Sequence, residues 1–300
     1  MLKTNELTLS ELSDTCNARL DKLFKNYLQD IPSLELKMSM EYSLMNGGKR
    51  LRPLLIYATG AIFDAPIENL DIPASSVELI HTYSLIHDDL PCMDDADLRR
   101  GKPSSHKVYG EGMAVLTGDA LHTLAMQIMA SHPAPLKADK RAHMMAVLSK
   151  ACGPYGMAAG QALDITVMSE SSISAELLND IYCLKTGALF SACIELGRLA
   201  SKDESELNQK ALQTFGDAIG LAFQIQDDIL DIEAETETLG KSQGTDHANH
   251  KNTYPKLIGL DAAKDKVQTL YQDALESINY LGSKASLLRD LAGQMLRRVK

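Results

Sequence analysis

Two short acidic runs contain the residues whose types and spacing point most directly to chemistry. The first, residues 88–97, contains five aspartates, and the second, residues 227–231, contains three. On a helix, Asp227 and Asp228 lie four and three residues before Asp231, so the three carboxylates share one face. Such carboxylates repel one another unless a cation lies between them. The second run therefore predicts a metal site, and the apolar residues around it predict a largely buried helix.

The first acidic run is interrupted by Pro91. Because proline disfavours helix at the residue before it, we expect Asp88 to end a helix and Asp94 to return beside it. Oxygen ligands without histidine or cysteine suit Mg²⁺, which binds one or two carboxylates, waters and phosphate oxygens. An EF-hand is excluded, since a frame that starts at Asp88 puts Met93 and Arg99 where glycine and glutamate are needed. Two such runs facing each other would bind a diphosphate through Mg²⁺.

Basic segments supply the charge that a diphosphate needs. Residues 47–53 place two glycines and three cations before a predicted helix, where the backbone approaches closely and an anion is favoured. Arg99 and Arg100 add two guanidiniums, which match phosphate oxygens bidentately. Taken alone, each acidic or basic run is more often a solvated surface. Their combination in one chain favours a diphosphate site.

The elements that must position these residues are predicted to be helices nearly throughout. Thr8 with Glu11, and Ser75 with Glu78, form the pattern of a capping box that opens a helix. The predicted helices cover about 8–30, 34–46, 53–63, 75–89, 113–130, 139–151, 155–168, 174–200, 204–233, 261–280 and 284–298. No sustained apolar alternation indicates a sheet. We therefore expect one all-α domain spanning 1–300.

Composition excludes several classes of protein. The 300 residues include 40 acidic and 30 basic ones, a net charge of −10 that argues against nucleic-acid binding. No apolar run is long enough to span a membrane, and no signal peptide is visible. The five cysteines are odd in number and have no C-x-x-C spacing, which is typical of a reduced cytoplasmic protein.

Further short motifs make the whole chain recognisable. They read GGKRLRP (47–53), LIHDDLPCMDDADLRRGKP (85–103), GDAL (118–121), GQALD (160–164), KTGAL (185–189), FQIQDDILD (223–231), LGKSQGTD (239–246) and KNTYP (251–255). With these motifs the chain resembles the trans-prenyltransferases, the short-chain isoprenyl diphosphate synthases, and among them the bacterial-type farnesyl diphosphate synthases. The resemblance implies an isoprenoid-synthase helical bundle around a central active-site cavity, a homodimer and three Mg²⁺ ions.

The resemblance also implies residue roles. The metal ligands would be Asp88 and Asp94 supported by Asp89, together with Asp227, and with Asp228 and Asp231 acting through water. The allylic diphosphate would be held by Arg99, Lys185 and Lys241, with Lys251 as a further diphosphate-facing lysine. Isopentenyl diphosphate would be held by Lys49, Arg52, His81 and Arg100. The oxygens of Thr186 and Gln224 would face the allylic cation. The implied reaction condenses isopentenyl diphosphate with dimethylallyl diphosphate and then with geranyl diphosphate.

Product length is expected to be set one turn below the first acidic run. Ser84 and Tyr83 lie four and five residues before Asp88, which on a helix is about 6–7.5 Å. A tyrosine there would act as a floor that stops the product near fifteen carbons. The alternatives are a geranylgeranyl or geranyl diphosphate synthase, a class I terpene cyclase, a metal phosphohydrolase and a non-catalytic prenyltransferase subunit.

Overall fold

The computed structural model describes residues 7–131, 133, 136–167, 170, 173–238 and 252–297, with only the backbone for 234–238. The helices are α1 (Leu9–Leu28), α2 (Leu34–Leu44), α3 (Leu51–Ile62), α4 (Ile67–Asp88), α5 (Ser105–Tyr109), α6 (Glu111–Ser131), α7 (Ala138–Cys152), α8 (Met157–Val167), α9 (Ala175–Tyr182), α10 (Ala188–Leu199), α11 (Glu206–Thr238), α12 (Tyr254–Ile258), α13 (Leu260–Ser277) and α14 (Ser286–Leu296). A π-helical turn (Cys183–Gly187) joins α9 to α10, and a 3₁₀ segment (Asn279–Ala285) precedes α14. The all-α expectation is confirmed.

The predicted N-terminal capping box is present. The Glu11 amide donates to Thr8 Oγ1 at 3.3 Å, and the Thr8 amide donates to the Glu11 carboxylate at 2.8 Å. These bonds satisfy backbone donors that the first turn of a helix leaves open. The helix then buries Leu12, Leu20 and Leu28, with other apolar residues of the same face, in the core.

The second predicted capping box is wrong. Helix α4 begins eight residues earlier, at Ile67, and contains Pro73 in its interior. Ser75 is buried and its hydroxyl donates to the Asp71 carbonyl at 2.7 Å, while Glu78 is buried rather than capping. Almost every residue from Ile67 to Ile80 is buried, so tertiary packing outweighs the local cost of proline and the local capping pattern.

The expectation of no sheet also needs a small correction. Strands β1 (Leu98–Arg99) and β2 (Lys102–Pro103) form a two-residue antiparallel hairpin. Its turn places Arg100 and Gly101 at positive φ, 54° and 76°. A pair this short gives no alternating apolar pattern, so the sequence carries no strand signal for it.

The chain divides into two compact units. The first comprises Met1–Ala146 with Leu196–Lys202, and the second Val147–Glu195 with Asp203–Lys300. In the first unit α4 packs along α6, and Ser76 Oγ donates to the Ala125 carbonyl at 3.0 Å. In the second unit α11 packs against α13 and the π-helical turn. One domain spanning 1–300 stays a prediction.

Among the described helices none is long and apolar enough to cross a lipid bilayer.

Candidate active site

The first acidic run folds back on the end of α4, as its proline predicts. Asp88 is the last residue of the helix, and the Asp94 amide donates to the Asp88 carbonyl at 2.9 Å. The Ala96 amide donates to the Asp89 carbonyl at 3.2 Å, which closes the turn. Asp88 is half-buried and Asp94 is exposed. The turn thus returns the Asp94 backbone to the end of α4 beside Asp88, whereas a continuous helix would place the two residues on different faces.

Asp89 is engaged by an arginine instead of facing solvent. Its side chain is buried and accepts from Arg99 Nε at 3.1 and 3.2 Å, with a further contact to the second nitrogen of that guanidinium. A fork of this kind fixes both partners. Asp89 therefore orients Arg99, and its supporting role in metal binding stays a prediction.

The hairpin that carries Arg100 is tied to the glycine turn before α3. The Arg100 guanidinium donates to the Gly47 carbonyl, and the Asn46 side chain donates to the Arg99 carbonyl at 3.2 Å. Gly48 has a φ of +118°, and a Cβ at this position would lie 2.5 Å from Arg100 Cζ. Glycine suits this position because its φ is positive, and because a side chain here would displace the Arg100 guanidinium. Lys49, which follows, is exposed.

Arg52 and His81 form a pair in the first unit. An Arg52 guanidinium nitrogen lies 3.3 Å from His81 Nε2. Because a guanidinium can only donate, His81 Nε2 is the acceptor and the ring is neutral. Burial, followed by the charges of Arg52 and Arg100, holds the pKa of His81 well below its usual range. His81 thus positions Arg52 and contributes no positive charge of its own.

Tyr83 and Ser84 occupy the turn of α4 below the first acidic run. The Tyr83 ring is edge-on to His122 at 5.1 Å and to His87 at 5.7 Å. Ser84 Oγ donates to the His81 carbonyl at 2.9 Å. Packing against the two imidazoles fixes the orientation of the Tyr83 ring, whereas Ser84 is satisfied within its own helix.

Lys185 and Thr186 lie in the π-helical turn, within the region where the sequence predicts one continuous helix over 174–200. Lys185 Nζ donates to Asp164 at 2.6 Å. A Cβ at Gly160 would lie 2.2 Å from the Lys185 amide nitrogen, so glycine permits α8 to approach the turn. π-Helical turns are frequent at functional sites. The π-helical turn is wider than a turn of α-helix, and the local sequence gives no signal of this change.

Thr186 is connected to Gln224 of α11. Thr186 Oγ1 donates to Gln224 Oε1 at 2.8 Å, and Thr186 is buried. Because the hydroxyl proton is directed at Gln224, the lone pairs of Oγ1 remain available for a positive charge. The structure therefore joins these two predicted residues.

The three aspartates of the second acidic run differ in environment. Asp227 is half-buried, Asp228 is buried and Asp231 is exposed. The buried carboxylate accepts from the Tyr182 hydroxyl at 2.6 Å and from the Tyr254 amide at 3.2 Å. Its water-mediated role toward a metal stays a prediction.

Sequence reasoning missed Asp164, Tyr182 and Tyr254. Asp164 lies in the GQALD motif and Tyr254 in the KNTYP motif, so for these two residues the motifs were a usable signal. Tyr182 and Tyr254 contact Asp228 from 46 and 26 residues away, so spacing gives no hint of either contact. Lys241 and Lys251 lie outside the described residues, and their predicted roles stay predictions.

The donor set of both runs fits magnesium. Within the described part of the chain, no three acidic, histidine or cysteine side chains converge into a ready-made metal site. Magnesium binds through one or two carboxylates and takes its other ligands from waters and phosphates. Asp88 with Asp94, and Asp227 with Asp231, are pairs of this kind.

A family model for polyprenyl synthetase matches residues 34–286. The chain belongs to the polyprenyl synthetase family. The farnesyl diphosphate synthase of Escherichia coli (strain K12) is 42% identical over 293 residues, covering 96% of this chain and 98% of that protein. Chloroplastic geranylgeranyl pyrophosphate synthases are also similar, at 40% identity for Catharanthus roseus and 42% for Capsicum annuum.

Solved structures of the family have the same fold. A geranyltransferase from Legionella pneumophila has a TM-score of 0.86 and 37% identity, covering 98% of this chain and 97% of its own. A Helicobacter pylori geranyltransferase complexed with magnesium and isoprenyl diphosphate has a TM-score of 0.78 and 33% identity, over 95% and 96% of the two chains. The predicted isoprenoid-synthase fold is confirmed.

Proposed function

We propose that the chain is a Mg²⁺-dependent (2E,6E)-farnesyl diphosphate synthase. It joins isopentenyl diphosphate head-to-tail to dimethylallyl diphosphate and then to geranyl diphosphate, and it releases diphosphate each time. The observation that carries the proposal is the turn that returns Asp94 to Asp88 and leads directly into the hairpin with Arg99 and Arg100. The similarity to farnesyl diphosphate synthases over nearly the whole chain supports the product.

The first unit carries the residues assigned to isopentenyl diphosphate. Lys49, Arg52 and Arg100 supply the positive charge, and neutral His81 keeps Arg52 in place. Arg99, oriented by Asp89, is assigned to the allylic diphosphate. A guanidinium carries five N–H donors, so each arginine keeps donors for a phosphate beyond those that fix its position in the protein.

The second unit carries residues for the leaving group and the developing cation. Lys185, held by Asp164, faces the allylic diphosphate, and Lys241 and Lys251 are assigned to the same group. Asp227 and Asp231 would bind Mg²⁺, as Asp88 and Asp94 would in the first unit.

The reaction divides between ionisation and addition. When bound, Mg²⁺ neutralises the diphosphate and makes it a better leaving group. The Thr186 oxygen, oriented by Gln224, stabilises the positive charge that develops on the allylic carbon. His81 is no general base here, because Nε2 already accepts from Arg52. After the allylic C–O bond has broken, the double bond of isopentenyl diphosphate forms the new C–C bond to the allylic carbon. The released diphosphate then takes the proton that the resulting cation loses as the new double bond forms.

Three finer features belong to the same proposal. The chain binds three Mg²⁺ ions per active site, acts as a homodimer and works in the cytoplasm. All five cysteines are free thiols, which agrees with a reducing compartment. Sedimentation equilibrium tests the dimer, and calorimetric titration of Mg²⁺ with inorganic diphosphate counts the ions.

The test of the main proposal is incubation with Mg²⁺, isopentenyl diphosphate and dimethylallyl diphosphate. The products are dephosphorylated, and the alcohols are separated by chromatography against standards. We expect farnesol as the main product, and no product after chelation of Mg²⁺. Geranylgeraniol as the main product would favour the alternative to which the plant relatives point. Absence of diphosphate release would reject prenyl transfer altogether.

A further inference from the structure

Asp228 is the member of the second acidic run whose carboxylate the protein itself holds. Its Oδ2 accepts from the Tyr182 hydroxyl at 2.6 Å and from the Tyr254 backbone amide at 3.2 Å. Burial and the charge of Asp228 raise the pKa of Tyr182. Because an ionised carboxylate can only accept a hydrogen bond, the Tyr182 hydroxyl is the donor in this contact.

The same two tyrosines connect three elements of the second unit. Tyr182 ends α9, Tyr254 begins α12, and their ring centroids are 5.6 Å apart. The Tyr254 hydroxyl donates to Asn179 at 3.1 Å. Asp228 of α11 thus lies where α9, α11 and α12 are joined by hydrogen bonds. We call Tyr182, Asp228 and Tyr254 the carboxylate clasp.

Helix geometry relates this clasp to the other two aspartates. Successive residues are about 100° apart around a helix, so Asp227 and Asp231 lie about 100° and 60° to the same side of Asp228. Fixing Asp228 inward turns both of the others outward. The exposure of the side chains agrees with this rotation, since Asp228 is buried, Asp227 half-buried and Asp231 exposed.

We propose that Tyr182 is a positioning residue for metal binding, which acts by fixing Asp228 and so sets the rotation at which Asp227 and Asp231 meet Mg²⁺. Asp228 is then an anchor within the protein, and the metal ligands of this run are Asp227 and Asp231. The inference rests on the proposed function. It adds a residue outside the acidic motif that tunes the affinity of the site for its ion.

The test compares Tyr182→Phe with the wild type. This change removes only the hydroxyl and keeps the ring against Tyr254. Loss of a group that is hydrogen-bonded to a metal ligand lowers metal affinity about 10- to 100-fold. Because Tyr182 acts one step further out, through Asp228, we expect the lower end of that range, a rise of about tenfold in the Mg²⁺ concentration for half-maximal activity. Calorimetric titration of Mg²⁺ in the presence of inorganic diphosphate should show the same weakening without catalysis.

A control variant separates positioning from a general loss of stability. Tyr57→Phe removes a phenol that donates to buried Asp71 in the first unit, so it should lower the melting temperature and leave Mg²⁺ affinity unchanged. Circular dichroism melts establish that each variant is folded.

The double variant Tyr182→Phe/Asp228→Ala tests the route of the effect, because alanine leaves no oxygen for Tyr182 to contact. If Tyr182 acts through Asp228, the double variant binds Mg²⁺ as weakly as Asp228→Ala alone. Additive losses would overturn the proposal, as would equal Mg²⁺ affinities for the folded Tyr182→Phe and Tyr57→Phe proteins. If the wild-type protein forms no prenyl product, the proposed function is wrong. The Mg²⁺ affinities of the wild type and the variants, measured by calorimetry without catalysis, would still test the role of Tyr182.

Discussion

Replacing Gly48 by alanine should weaken isopentenyl diphosphate binding through Arg100. A Cβ at Gly48 would lie 2.5, 2.6 and 2.8 Å from three atoms of the Arg100 guanidinium. Carbon atoms pack at about 3.5–4.0 Å, so the guanidinium must move by about 1 Å. That shift breaks its hydrogen bond to the Gly47 carbonyl and moves the charge away from the position that the turn and hairpin define.

The size of the effect follows from the bond that is lost. A hydrogen bond to a charged group contributes about 1.5–3 kcal/mol. Because this bond holds the guanidinium in place and does not itself contact substrate, its free energy is an upper bound on the loss of substrate binding. We therefore expect the KM for isopentenyl diphosphate to rise by about tenfold, the lower end of that range. The KM for the allylic substrate should change much less, because Arg99 keeps its carboxylate partner Asp89.

Gly47→Ala is the matched control. Gly47 also has a positive φ, +77°, but nothing lies within 4 Å of a Cβ at this position. Both variants place a non-glycine residue at positive φ, which strains the backbone, and both should melt at a lower temperature. Only Gly48→Ala should raise the KM, measured by initial rates with labelled isopentenyl diphosphate. Equal KM values for the two folded variants would refute the reasoning.

Three other substitutions test the remaining assignments. Tyr83→Ala removes the ring that packs on His122 and should shift the main product, measured by chromatography, from fifteen to twenty carbons. An unchanged product profile would show that Tyr83 does not limit product length. Asp164→Asn removes the anion that holds Lys185 and should raise the KM for geranyl diphosphate about tenfold, so an unaltered KM would contradict that pairing. Burial raises the pKa of Glu78, so the folded state binds the extra proton, and Glu78 destabilises the fold increasingly as pH rises above the pKa of a free glutamate. Glu78→Gln should therefore melt at a higher temperature than the wild type at pH 8, with a smaller difference at pH 5. A difference that grows as the pH falls would show that Glu78 does not destabilise the fold in this way.

Much of the candidate site could be predicted from local sequence because its signals are local. Pro91 predicts the end of α4 and the return of Asp94, and the structure has both. The Thr8 capping box is likewise a relation between residues three positions apart. The Ser75 pattern failed for the complementary reason. It is the same local signal, but burial starts α4 at Ile67, before Pro73, so Ser75 lies inside the helix and not at its N-terminus.

The sequence by itself determined the all-α class, the family resemblance and the identity of the acidic and basic runs. These depend on composition and on residues within a few positions of one another. Only the tertiary structure decided which charges are paired, such as Asp89 with Arg99 and Lys185 with Asp164. It also decided that Asp228 faces Tyr182 and not solvent. Hydrogen bonds and desolvation act between atoms that are close in space, whatever their separation along the chain, so three similar aspartates acquire different roles only once the chain has folded.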